Sequence, residues 1–165
     1  MSEGVFIREA DMTGPDAAIV GDLVGTYLRQ TEEEKAQRGY GTSAADPLPD
    51  RYRREVEEPA SAYRGHRVYL AEVDGRAAGV VIVHEVDGKT EIKRLWTDPG
   101  ARGRGVGGAL LDAAIASADR PVRLSVWEWR APAVGLYESR GFVRVDSWDE
   151  RPGLVCMVRS DGALG

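Results

Sequence analysis

The sequence predicts one mixed α/β (α+β) domain on a twisted, mostly antiparallel sheet, and three observations lead there. Two Asp-Gly pairs, Asp74-Gly75 and Asp87-Gly88, separate apolar runs, which is the pattern of tight hairpin turns. A glycine-rich bend from 100 to 108 opens an apolar run of helical length. Ile19, Leu23 and Tyr27, with Val20, Val24 and Leu28, recur at helical spacing. A chain of 165 residues suits one domain with a true core.

The elements follow in order. Residues 5 to 8 are a short apolar opening suited to an edge strand. Thr13-Gly14-Pro15-Asp16 reads as a helix start, with Thr13 as cap and Pro15 in the first turn. That helix runs out through the charged residues 32 to 35. Residues 38 to 50 hold Gly, Pro, Ser and Asp and read as a loop. A second short helix is expected over 51 to 57, stopped near Pro59. Strands at 67–73, 77–86 and 91–97 then form a meander around the two Asp-Gly turns. After the glycine bend a helix reaches about Ala118. A strand follows at 122–129, then a helix at 131–140 with Pro132 in its first turn and Gly141 just past its end. Strands at 143–148 and 154–158 close the chain. No repeat or linker interrupts this order.

Composition narrows the function. The net charge is −5, which argues against a nucleic-acid-binding surface. Cys156 is the single cysteine, so no internal disulfide is expected. With only His66 and His84 beside it, a four-ligand cysteine/histidine zinc site is excluded, and no metal is expected. Residues 1 to 10 lack a signal-peptide core, and no run approaches the ~18 apolar residues of a membrane helix. The expectation is a cytoplasmic protein with no membrane partner.

The stretch from Glu91 to Leu111 carries the chemistry. A strand ends, the chain turns, and a helix begins with almost no side chains on its first turn. The first N–H groups of a helix lack internal partners and carry partial positive charge. Glycines let a phosphate approach them, and Arg102 and Arg104 add charge. The same glycines would also serve a tight bend alone. Gly103-Arg-Gly105-Val-Gly107-Gly108 is a literal GxGxxG, with Glu128 standing 20 positions after Gly108, so a dinucleotide-binding oxidoreductase is a rival. Against it, the preceding residues look like hairpins rather than βαβ units. A P-loop is excluded because no Gly-Lys-Ser/Thr follows.

Read as Arg-x-x-Gly-x-Gly, residues 102 to 107 resemble the acyl-CoA signature of the GNAT (Gcn5-related) N-acetyltransferases, Gln/Arg-x-x-Gly-x-Gly/Ala. Asp98-Pro99 before it, Ala109-Leu110-Leu111 after it, and Leu136-Tyr137-Glu138-x-x-Gly141-Phe142 downstream match in order and spacing. The resemblance implies a GNAT-type single domain over residues 1–165 with helices on both faces of the sheet. It implies acetyl-CoA as co-substrate and direct transfer, in a ternary complex, to a primary amine of a small molecule or a protein. Backbone N–H groups from Gly103 through Val106 to Gly108 would bind the CoA pyrophosphate. Pantetheine would lie in a gap between 95–97 and 122–129, pairing with backbone at Leu95 and Thr97. The N–H of Leu95 or Trp96 would polarise the thioester carbonyl. Dimers are common in the family, which places a homodimer among the implied partners.

Direct attack needs a base and an acid. A lysine-like amine with pKa about 10.4 costs roughly 4.6 kcal/mol to neutralise at pH 7. Glu91 matches the position of the glutamate that serves as base in some members of the family; Glu128 and ordered water are alternatives. Glu91 also reads as an exposed strand residue between Lys89 and Lys93. Tyr137 stands where the family's tyrosine protonates the CoA thiolate, and it also reads as a packed helix residue. One departure is Arg130, where the family often has Asn; Arg130 could reach the CoA phosphates instead. This departure keeps open a non-catalytic acyl-CoA sensor. Acceptor clues are Trp127 and Trp129, two apart on one strand face, Trp96 and Trp148, the acids Glu85, Glu128, Asp149 and Glu150, and Tyr40 in the 38–50 loop.

Overall fold

The computed structural model describes residues 4–40, 48–149 and 151–160. Seven strands form one sheet: β1 (Phe6–Glu9), β2 (Arg67–Val73), β3 (Arg76–Val86), β4 (Lys89–Thr97), β5 (Val122–Trp127), β6 (Val143–Val145) and β7 (Leu154–Arg159). Their spatial order is β1-β2-β3-β4-β5-β7-β6, and every pair is antiparallel except β4–β5. Asp74 and Gly75 both take positive φ, as do Asp87 and Gly88. That is the signature of two-residue type I′ hairpin turns.

Alternation along the strands builds two cores. Val68, Leu70, Val80 and Ile82 face one side. There they meet Val20, Val24 and Leu28 of α1 (Asp16–Gln37). Two shorter helices, α2 (Asp50–Glu57) and α3 (Pro59–Ala62), complete that layer. Val81, Val83 and Ile92 face the other side, against Leu110, Leu111 and Ala114 of α4 (Val106–Ser117) and Val134 of α5 (Ala131–Ser139). Each fully buried Leu or Val there contributes about 1.5–3 kcal/mol. Gly79 permits the close approach of α4. A Cβ at that position would lie 2.9 Å from Val106 and Leu110 side chains and 2.8 Å from the Trp96 carbonyl.

Several sequence expectations shift. Thr13 does not cap α1, which starts one residue after Pro15 without a side-chain cap. Asp16 organises the entrance instead, accepting from the Asp11 N–H at 2.8 Å and from Arg8 at 2.7 and 2.9 Å. Thr13 is turned toward Asp11, donating to its carboxylate. The strand expected to reach residue 129 ends at Trp127, and the one expected over 143–148 ends at Val145. Residues 41–47 of the expected loop, and Glu150, lie outside the described residues.

A β-bulge in β4 positions the site. Ile92 and Trp96 are four apart and would share a face in a regular strand. Between Val80↔Trp96 and Ile82↔Lys93 the register gains a residue, with Arg94 at φ +56°. Ile92 therefore packs with α4 and Trp96 with α1.

Candidate active site

The parallel β4–β5 pairing covers only Thr90↔Val122 and Glu91↔Arg123. Past that point β4 follows β3 through the bulge and β5 follows β7, so the two strands separate. A cavity of about 580 Å³ opens along this gap. Leu95 lines it from β4, Ser125 to Trp127 from β5, Tyr137 from α5, and Tyr27 and Thr31 from α1. Glu91 stands on the same cavity wall, with its side chain 26 % exposed and Oε2 3.7 Å from Arg123 Nε.

The terminus of α5 explains how Tyr137 is held. The Gly141 N–H donates to the Glu138 carbonyl and the Phe142 N–H to the Tyr137 carbonyl, both at 3.1 Å. With Gly141 at φ +91°, this is a Schellman stop. Phe142 is buried, and its ring meets that of Tyr137 edge-on at 5.8 Å. Burial and the neighbouring Tyr27 push the Tyr137 phenol above its ordinary value, against the opposing charge of Arg130. The group is therefore a neutral O–H donor at physiological pH.

The glycine bend follows the end of β4. Gly103 and Gly105 take φ of +85° and +81°, with open space where a Cβ would stand. The first α4 bond runs from the Ala109 N–H to the Gly105 carbonyl at 3.0 Å. The N–H groups of Val106, Gly107 and Gly108 thus point out of the helix end. A Cβ on Gly107 would lie 3.5 Å from both Thr97 Oγ1 and Leu136 Cδ2, so the bend adjoins the end of β4 and α5. Arg104 Nη1 is 3.5 Å from Asp74 Oδ2, and the Arg102 guanidinium lies 4.9 Å from the Trp96 ring centroid.

The acetyltransferase (GNAT) family model matches residues 28–142. The chain belongs to this family. Its fold agrees: a GNAT acetyltransferase from Staphylococcus aureus Mu50 superposes with a TM-score of 0.68 at 16 % identity, covering 95 % of this chain and 99 % of that one. A GNAT acetyltransferase from Elizabethkingia anophelis, solved with acetyl-CoA bound, gives 0.65 at 18 % identity, covering 96 % and 99 %. The ribosomal-protein-S18-alanine N-acetyltransferase of Escherichia coli gives 0.64 at 20 % identity, covering 94 % and 93 %. No curated protein sequence matches. The GxGxxG reading loses its context, because a dinucleotide fold needs a series of parallel strands and this sheet has one parallel pair.

Within this GNAT fold the sequence-derived residues divide. Glu91, Leu95 and Tyr137 share the cavity; Thr97, Gly107 and Gly108 meet at the bend. The Trp96 ring is buried against Tyr27 at 5.6 Å, which leaves only its backbone for a ligand. Arg130 lines the cavity, where it donates to Glu34 Oε1 at 3.0 Å and Thr31 Oγ1 at 2.8 Å. A further arginine, Arg140 at the end of α5, borders the bend: its Nη2 would sit 2.7 Å from a Cβ on Gly108, and it pairs with Asp112 at 3.0 Å. Trp127 and Trp129 do stack, at 4.9 Å, but Lys35, Arg38 and Arg151 lie over their rings. Tyr40 stacks on Trp129 at 5.6 Å. Glu85 is engaged by Arg67 and Thr90, away from the cavity.

Sequence reasoning missed the Arg94–Glu55 pair. Arg94 Nε and Nη2 donate to the two Glu55 oxygens at 2.8 and 2.9 Å, and Tyr63 donates to Oε1 of the same carboxylate. Burial pushes the Glu55 carboxyl up, but the Arg94 bonds and charge outweigh it and hold it below the ordinary value. The Arg94 ring neighbours are Tyr52 at 5.5 Å and Tyr27 at 6.0 Å. A non-glycine residue at positive φ costs roughly 1–3 kcal/mol, and this fork of bonds offsets that cost. No sequence signal joins residues 39 positions apart.

Among the described residues, no helix is long and apolar enough to cross a membrane, and no group of three or more His, Cys, Asp or Glu could hold a metal ion.

Proposed function

We propose that this GNAT enzyme transfers an acetyl group from acetyl-CoA to a primary amine by direct attack within a ternary complex. The observation that carries the reading is the early end of the β4–β5 pairing at Glu91↔Arg123. Beyond it a cavity carries Glu91 and Tyr137 on its wall, and the bare helix end of α4 adjoins the end of β4 at Thr97. The pyrophosphate of CoA sits on the outward N–H groups from Gly103 to Gly108, with charge from Arg102 and Arg104. Pantetheine pairs with the β4 backbone at Leu95 and Thr97, in the place that a regular β5 would fill. The Trp96 or Leu95 N–H polarises the thioester carbonyl.

Glu91, directly or through a water, takes the proton that the acceptor ammonium must lose. The free amine attacks the thioester carbon, the C–S bond breaks, and the phenolic proton of Tyr137 goes to the departing sulfur. Acetyl-CoA binding is tested by thermal unfolding with acetyl-CoA, CoA or NADH. A ligand at 100 times its Kd adds about 2.7 kcal/mol. A higher midpoint with acetyl-CoA and CoA but not NADH supports the reading; stabilisation by NADH alone defeats it.

A further inference from the structure

The whole chain carries 22 basic and 27 acidic residues, yet the cavity wall reverses that balance, with five basic residues to four acidic. Ion pairing decides which of these charges remain open. Lys35 is 3.0 Å from Glu32, Arg151 2.8 Å from Asp149, and Arg130 3.0 Å from Glu34. Arg94 takes both oxygens of Glu55. Lys93 alone among the cavity cations makes no hydrogen bond or ion pair to the described residues. It shares the field of Glu55, a carboxylate already occupied by Arg94 and Tyr63. Among the described residues two cations thus face the Glu55 carboxylate, and the Lys93 charge has no partner of its own there.

Lys93 stands on β4 two residues from Glu91 and on the same face, since their β3 partners are Ile82 and His84. The two are about 7 Å apart along the strand. The phosphates of a bound CoA lie at the glycine bend, outside this cavity, and its thioester is neutral. The cofactor therefore does not need the Lys93 charge. Resting on the proposed acetyl transfer, we propose that the acceptor is a small amine that also carries an acidic group, as an amino acid does. Its amine faces Glu91 and its carboxylate or similar anion is met by the Lys93 ammonium. A charged hydrogen bond of this kind is the strong class.

The test uses the full chain and matched probes: amino acids, their carboxamides and their decarboxylated amines, with CoA thiol release as the readout. The amine of an amide loses its proton more readily, so the diagnostic is the change in the acid-to-amide ratio of kcat/KM. In Lys93→Met this ratio is expected to fall about 10- to 100-fold, through KM for the acid, and Lys93→Glu to favour the acid-free amines. The acetyl-CoA thermal shift should be the same in both variants as in the natural protein. If the ratio is indifferent to Lys93, or if acid-free amines or peptides are the better acceptors of the natural protein, the substrate class is wrong while acetyl transfer stands. If acetyl-CoA gives no thermal shift, the proposed function falls and takes this inference with it.

Discussion

The Phe142 N–H donates to the Tyr137 carbonyl at 3.1 Å while the two rings meet edge-on at 5.8 Å. The residues read from the sequence as a family signature are thus a helix stop that fixes the residue proposed as acid. Gly141, at φ +91°, makes the stop possible. Gly141→Ala is expected to lose about 1–2 kcal/mol, the cost of a Cβ in the left-handed region, seen as a lower urea midpoint. Phe142→Ala, emptying a buried site, should lose about 3–5 kcal/mol. An unchanged midpoint in Gly141→Ala would show that the stop is not under conformational constraint.

Tyr137→Phe removes one oxygen and keeps the ring packing against Phe142. General acid–base groups contribute about 10²–10⁴-fold, so kcat is expected to fall by at least about 100-fold with KM for acetyl-CoA nearly constant. The sign of the pH effect is also set. Burial raises the phenol above its ordinary value, so the proton needed for catalysis is retained further into alkali, and any loss of rate near pH 10 should persist in the phenylalanine variant. A variant with natural kcat would remove Tyr137 from the chemistry.

A methyl group added at Gly79 would stand 2.8–2.9 Å from three atoms, in the Trp96 carbonyl and the Leu110 and Val106 side chains. Two of these belong to the first turns of α4, so the glycine sets how closely the bend approaches the sheet. Gly79→Ala is expected to cost about 1–3 kcal/mol, as overpacking does. It should also raise KM for acetyl-CoA, because α4 must shift. Gly107→Ala meets its neighbours at 3.5 Å, an ordinary contact, and should leave the free energy of urea unfolding within about 1 kcal/mol of the natural protein. If the two variants unfold alike, the close approach at Gly79 is not the constraint inferred.

Local chemistry was legible in the sequence, and long-range pairing was not. Asp74-Gly75 and Asp87-Gly88 marked their turns because both residues must accept positive φ. The apolar periodicity of Val20, Val24 and Leu28 foretold a buried helix face. The bulge at Arg94 left no trace, because a non-glycine at φ +56° is held there by Glu55, 39 residues away. Arg130 was legible as a departure from the family pattern, but its partners Thr31 and Glu34 lie 99 and 96 positions earlier. Its place in the cavity wall therefore needed the fold. The strand spacing used to pair Trp127 with Trp129 does not hold, because β5 ends at Trp127; the two rings stack through the turn that follows, and the cations over them are Lys35 of α1, Arg38 just past its end and Arg151 before β7.

Asp16 ties β1 to α1, accepting from two Arg8 nitrogens and from the Asp11 N–H. Arg8 in turn reaches Glu72 at 2.8 Å. The bonds from Arg8, with the Asp11 N–H, hold the Asp16 carboxyl at about 2, below its ordinary value of 3.8. The folded state therefore binds this proton less readily than the unfolded state. The stabilisation is fully present above about pH 4 and is lost as pH falls toward 2. Asp149, held at about 2 by Arg151, loses its contribution in the same window, so the acid limb of the natural protein reports both. The difference between the natural protein and Asp16→Asn isolates the first. Urea midpoints at pH 7, 4, 3 and 2 are expected to show the variant less stable at pH 7 and the gap closing between pH 4 and 2. A gap that stays constant across that range would mean that the Arg8 contacts do not favour the charged form of Asp16.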